Sequence, residues 1–171
     1  MKRKGIWSIA AAVLFTATGC LHSASAEKGA TTNISTNVVY TGGQCGSSEA
    51  CGEWINDAEH LESVCRKVRR EFIAGSDIPV PAIDFEQFAA LRISMGTQPT
   101  GGYELVLVDT HARIEKETAI IRVDWIEPAP DAMVTQMITS PCLLVRIPRG
   151  DYRRIEIQDQ HGTVRCRIDV H

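Results

Sequence analysis

The residues of this chain with the most telling chemistry are its cysteines, histidines and serines, together with one glycine-rich loop. Six cysteines are present, at Cys20, Cys45, Cys51, Cys65, Cys142 and Cys166. None forms a C-x-x-C pair, and His60, His111, His161 and His171 lie far apart in polar contexts, so surface histidines and no metal site are expected. Ser140 precedes Pro141 outside any G-x-S-x-G turn, which reads as a strand entry and not as a nucleophile. Cys142 is conceivable as a thiol nucleophile, but a disulfide or a buried thiol is the expectation. Most carboxylates fall at turns or alternate outward on strands, and no pair stands out as acid and base. Gly96 and Gly101 have the Walker spacing, yet Gly102 and Tyr103 stand where a phosphate-binding loop needs Lys and Ser/Thr. Residues 104–108 also read as a strand, where such a loop needs a helix N-terminus. The reading is a chain that is not an enzyme and takes no cofactor.

That glycine-rich stretch, Gly96-Thr97-Gln98-Pro99-Thr100-Gly101-Gly102-Tyr103, is still the least generic part of the sequence. Pro99 presets φ for a turn, Gly101 and Gly102 permit positive φ, and Tyr103 ends the loop with a large amphipathic ring. Taken alone it is an ordinary loop between two strands. As a recognition surface it is also well suited, because a glycine backbone lets a partner approach closely while Tyr103 offers area at little entropic cost.

The positioning elements begin after an N-terminal signal. Lys2, Arg3 and Lys4 followed by the uncharged run of residues 6–18 make residues 1–26 an export signal too short to span a bilayer. Two processing routes are compatible with it. Ala17-Thr18-Gly19-Cys20 resembles a lipoprotein lipobox, with Cys20 the lipidated residue, and Ala24-Ser25-Ala26 suits ordinary signal peptidase; the lipobox is preferred because Cys20 closes the apolar run directly. Either route leads to the bacterial cell envelope, lipid-anchored in the first case and periplasmic or secreted in the second. Without residues 1–26 the formal charge is 15 basic against 21 acidic residues, a balance of −6. Such a balance argues against nucleic acid as a partner and leaves a lipid anchor as the membrane contact. Five cysteines remain. The expected pairs are Cys65 with Cys45 or Cys51, and Cys142 with Cys166 if their strands are neighbours.

Residues 27–44 read as a tether and a first strand around Val38, and residues 45–171 as one globular domain. Trp54, Ala58, Leu61, Val64, Cys65, Val68 and Phe72 recur at helical spacing and predict a helix over residues 52–74. Asn56 and Glu59 would form its capping box, Gly75 its C-cap, and Arg66, Lys67, Arg69 and Arg70 a solvated face. Strands are expected around residues 91–95, 119–125, 143–147, 155–157 and 164–170, the last two as a hairpin through residues 159–162. Residues 105–108 are apolar on both parities and read as a central strand. Residues 133–139 read as a weaker one. The fold class is thus β-dominated α+β, an antiparallel meander sheet or partial barrel of about eight short strands with one amphipathic helix packed on it.

Several of these stretches together resemble a known family. Ile83-Asp84-Phe85, Met95-Gly96, Pro99-Thr100-Gly101-Gly102-Tyr103, Trp125 running into Pro128, and Met137-Ile138-Thr139-Ser140-Pro141-Cys142 before Val145-Arg146-Ile147-Pro148 resemble the C-terminal domain of PrcB-type protease complex subunits. The resemblance covers residues 83–148 and departs at Cys142, where the family commonly has an aromatic. It implies an exported, often lipid-anchored, non-catalytic protein that binds a partner, plausibly a secreted or surface protease. The partner-binding residues would be Pro99, Thr100, Gly101, Gly102, Tyr103, Thr139, Ser140 and Pro141. A second likeness, of residues 98–103 to the Asn-Pro-Thr-Thr-Gly-Tyr loop of chagasin-type inhibitors, implies as the alternative a protease inhibitor that inserts the same loop into an active site.

Overall fold

The computed structural model describes residues 31–71 and 80–170. The expected export signal with Cys20, the expected helix end with Phe72 and its C-cap at Gly75, and the linker start at Pro79 lie outside the described residues.

Alternation of apolar and polar residues builds two sheets. Sheet A contains β1 (Thr32–Ser35), β5 (Glu104–Leu107), β6 (His111–Glu115), β7 (Thr118–Ile126), β9 (Arg154–Gln158) and β10 (Val164–Asp169). Its order is β1-β6-β7-β9-β10, and β5 pairs with the second half of β7 beyond the end of β6. Sheet B contains β2 (Asn37–Gly42), β3 (Ala50–Ile55), β4 (Phe88–Met95) and β8 (Cys142–Pro148), in the order β2-β8-β4-β3. All pairs are antiparallel except β7 with β9. The β-dominated class, with a single helix among the described residues, is as the sequence implies. Long-range pairing makes two packed sheets from it, open on one side and not a closed barrel.

Period-two patterning decides which faces meet. Leu91, Ile93 and Met95 of β4 and Leu143, Val145 and Ile147 of β8 face Ile121, Val123 and Trp125 of β7 and Ile155 and Ile157 of β9 in one core. The opposite parity of sheet B carries Ala90 and Leu144, and on these lies the helix α1 (Ala58–Glu71) through Leu61, Val64 and Cys65. The molecule is therefore layered helix, sheet B, sheet A. The strands covered on both faces are β4 and β8.

Five local expectations are corrected. Residues 50–55 form β3 and not the first turns of the helix; Trp54 fits helical spacing, but its backbone pairs with Leu91 of β4. The helix cap is Asp57, whose Oδ1 accepts the His60 amide at 2.7 Å, in place of Asn56. β5 is an edge strand with Val106 exposed, because only β7 pairs with it. Residues 133–138 form no strand, and residues 32–35, read as tether, pair with β6.

The cysteine pairing is corrected as well. Cys45 bonds Cys142, and Cys51 bonds Cys166. Neither expected pair forms: β8 lies inside sheet B while β10 is the edge strand of sheet A nearest β3, so Cys142 and Cys166 are not on neighbouring strands. Cys65 takes part in neither disulfide and is buried beneath the helix. The Cys51–Cys166 bond joins β3 to β10, the edge strands of the two sheets, and fastens one side of the sandwich.

Candidate functional site

The glycine-rich loop leaves β4 at Met95 and enters β5 at Glu104, and the chain from β7 to β8 folds back against it. Gln98 and Thr139 exchange backbone hydrogen bonds of 2.7 and 3.0 Å, a short antiparallel bridge. The Thr139 hydroxyl donates to the Thr100 carbonyl at 2.7 Å, and the Gly101 amide donates to the Thr135 carbonyl at 2.9 Å. Gln98 Nε2 reaches back to the Met95 carbonyl at 2.7 Å. Each link satisfies a backbone group that a buried loop would otherwise leave unpaired.

Ser140 ties this pair of loops to a third. Its Oγ accepts the amides of Cys45 and Gly46, both at 2.9 Å, while its carbonyl takes the Cys45 amide as well. The Cys45–Cys142 disulfide closes the same junction covalently. With its lone pairs directed at two amides in a buried position, the Ser140 hydroxyl serves as a structural acceptor.

Glycine is required at two adjacent positions for different reasons. A Cβ on Gly101 would run into Oγ1 of Thr135. Gly102 has φ of +87°, and a Cβ there would come within 2.8 Å of Cγ1 of Val134.

The structure thus brings together all eight sequence-predicted partner-binding residues and divides them by role. Gly101, Thr139, Ser140 and Pro141 are buried and hold the loop. Pro99 and Gly102 face outward, with Thr100 and Tyr103 partly exposed, Tyr103 resting on the core. Beside them stand Met137 at 52% and Ile138 at 67% exposure, neither picked out as a contact residue by sequence because the stretch was read as strand. Their signal was the Met-Ile pair directly before Thr139. Open grooves flank the loop, one of about 390 Å³ along Met137 and Ile138 and one of about 420 Å³ along residues 102–105.

Elsewhere, the β9–β10 turn is organised by Asp159, which is 1% exposed. Its carboxylate accepts the His161 and Thr163 amides, both at 2.9 Å, and Arg165 Nε at 2.8 Å. Desolvation alone would raise its pKa; the two amides and the guanidinium outweigh that and hold it below the ordinary value. Burial pushes Tyr152 up to about 12, slightly opposed by Arg149, and its hydroxyl donates to the Pro148 carbonyl. Among the described residues no group of three His, Cys, Asp or Glu side chains could hold a metal ion.

Residues 90–148 match the family model described as PrcB C-terminal. The match covers β4, the glycine loop, β5 to β7, the returning loop and β8, and begins after Ile83-Asp84-Phe85. No curated protein and no solved structure matches the chain.

Proposed function

We propose that this protein, whose residues 90–148 match the PrcB C-terminal family model, is a non-catalytic cell-envelope binding module that supports a protein partner, with a protease complex as that partner. The observation that carries this reading is the division of labour in the loop pair. Buried Gly101, Thr139, Ser140 and Pro141 hold the backbone in place, and the outward Pro99, Gly102, Met137 and Ile138 form a largely apolar face. A fixed loop with exposed apolar side chains binds at low entropic cost and is the kind of surface that marks protein contact. Engagement of Ser140 by two amides and of Cys142 by a disulfide supports a non-catalytic role. Export by residues 1–26, with Cys20 as lipid anchor, would place this face at the envelope.

The test is co-purification from envelope with the wild-type chain and with the Pro99→Asp/Ile138→Asp variant. Both positions are exposed, so the fold should persist, as circular dichroism would verify. Loss of specific partners is expected, and an unchanged partner set would overturn the loop face. Under the inhibitor alternative the purified chain should inhibit papain-like or subtilisin-like proteases at micromolar concentration or below; absence of inhibition removes it.

A further inference from the structure

Beside the loop face lies a second feature, the free edge of β5. Gln160 grips the backbone of Trp125, its Oε1 accepting the Trp125 amide at 2.8 Å and its Nε2 donating to the Trp125 carbonyl at 3.2 Å. Those backbone groups therefore point away from β5. Trp125 stands opposite Leu105, so the two form a pair without mutual hydrogen bonds, and antiparallel alternation turns the amide and carbonyl of Leu105 to the open edge. A step of two gives the same direction at Tyr103 and Leu107. The Val108 amide, bonded to the Arg122 carbonyl at 3.0 Å, keeps the opposite parity, as this register requires.

Where β7 outruns β9, the Gln160 side chain takes the place of a strand. Among the described residues nothing comparable covers β5, which pairs with β7 alone. Its sequence, Glu-Leu-Val-Leu, is short and carries one charge, Glu104, at its start, with no lysine, proline or bulge beyond it. The groove of about 420 Å³ follows the chain from Gly102 to Leu105 where it enters β5, with residues 41–43 at the end of β2 on the far side. That volume is in the range of ligand clefts, about 300–1,000 Å³. On the other side of the sandwich the corresponding gap is closed by the Cys51–Cys166 bond between β3 and β10.

We propose that the β5 edge takes an extended segment of a partner polypeptide as an added strand, laid into the groove between β5 and β2. A row of outward amides and carbonyls recognises main chain whatever its sequence. Side-chain preference comes from the rim. Glu104 opens β5, Asp124 stands opposite Val106 on β7 and Glu127 follows Ile126, the partner of Glu104; of the nearby cations, Arg122 is held by Asp109 at 3.6 Å and Arg165 by Asp159 at 2.8 Å. Val106, Val108 and Ile126 are exposed between them. The segment that fits alternates apolar and basic side chains, which pair favourably across strands with these neighbours. The inference rests on the reading of this protein as a polypeptide binder and shares Gly102 with the loop face, but not on Pro99, Met137 or Ile138 being the contact.

The probe is a phage-displayed library of linear peptides about ten residues long, selected on the purified full-length chain with both disulfides formed. A selected peptide is then resynthesised with N-methyl groups on alternate residues, which block strand pairing and leave the side chains unchanged. Binding should weaken by more than about tenfold, and amide exchange followed by NMR should show Leu105 and Leu107, fast in the free protein, protected by the unmodified peptide. Glu104→Lys and Val106→Lys, both at exposed positions, should weaken binding in the same direction. The inference is overturned if no peptide is selected, if N-methylation in either register leaves affinity unchanged, or if the two amides stay unprotected at saturation. Sedimentation showing that β5 pairs with its counterpart in a second copy would overturn it too. Failure of the loop face is read separately, in the co-purification with Pro99→Asp/Ile138→Asp.

Discussion

Thr139 donates its side-chain hydroxyl to the backbone carbonyl of Thr100 at 2.7 Å, joining two loops 39 positions apart in sequence. Thr139 is buried, so replacing it by valine would leave a desolvated carbonyl without its donor. We expect Thr139→Val to cost about 1–2 kcal/mol by chemical denaturation and to speed amide exchange at Gly101, while Thr139→Ser retains the bond and most of the stability. Equal losses in both variants would show that the methyl packing, and not the hydrogen bond, matters.

Gly102→Ala combines a left-handed backbone with a Cβ placed against Val134. The expected loss is about 1–3 kcal/mol. A second substitution, Val134→Ala, should recover part of it by removing the facing methyl groups and none of the part due to φ. Thermal unfolding of the single and double variants separates the two contributions.

The Cys51–Cys166 bond spans 115 positions and ties the sheets at their edges. Removing it by Cys51→Ala/Cys166→Ala should lower stability by about 2–4 kcal/mol. The denaturation midpoint of the wild-type chain should also fall on adding a reductant, whereas the double variant should respond less, through Cys45–Cys142 alone. Equal responses would mean that the edge bond contributes nothing.

Two buried groups set opposite ends of the pH profile. Asp159 has a depressed folded pKa, so its contribution is present above the unfolded value of about 3.9 and is lost as pH falls through the folded value. Asp159→Asn should flatten the acid limb of stability against pH. Tyr152 is raised to about 12; its contribution is full below the unfolded value of about 10 and is lost as pH rises toward the folded one. Tyr152→Phe should flatten the alkaline limb, at a cost of about 1 kcal/mol near neutrality for the lost bond to Pro148. Unfolding midpoints measured from acid to alkaline pH check both.

Much of this architecture was legible before folding. Alternation at Leu91, Ile93 and Met95, at Leu143, Val145 and Ile147, and at Ile155 and Ile157 identified core strands, because period two leaves one side chain in two for the interior. The likeness at Thr100-Gly101-Gly102-Tyr103 and Thr139-Ser140-Pro141 also marked these two stretches as belonging together, and the family match contains both. Residues 50–55 were misread because Trp54 satisfies helical and strand spacing alike. Residues 105–108 misled for a related reason: apolar composition marks a strand that avoids water on both faces only when neighbours exist to cover it.

The sequence by itself determined the strand-rich class, the amphipathic helix, the net negative charge and the glycine-rich loop, since each depends on local periodicity, composition or turn chemistry. Only the tertiary structure decided which cysteines meet, that Thr139, Ser140 and Pro141 hold the loop while Pro99, Gly102, Met137 and Ile138 face out, and that β5 is left with an open edge. Those properties belong to pairs of segments far apart in the chain. Which amide faces solvent is fixed by the register of strand pairing, and register is set by long-range packing that no local pattern encodes.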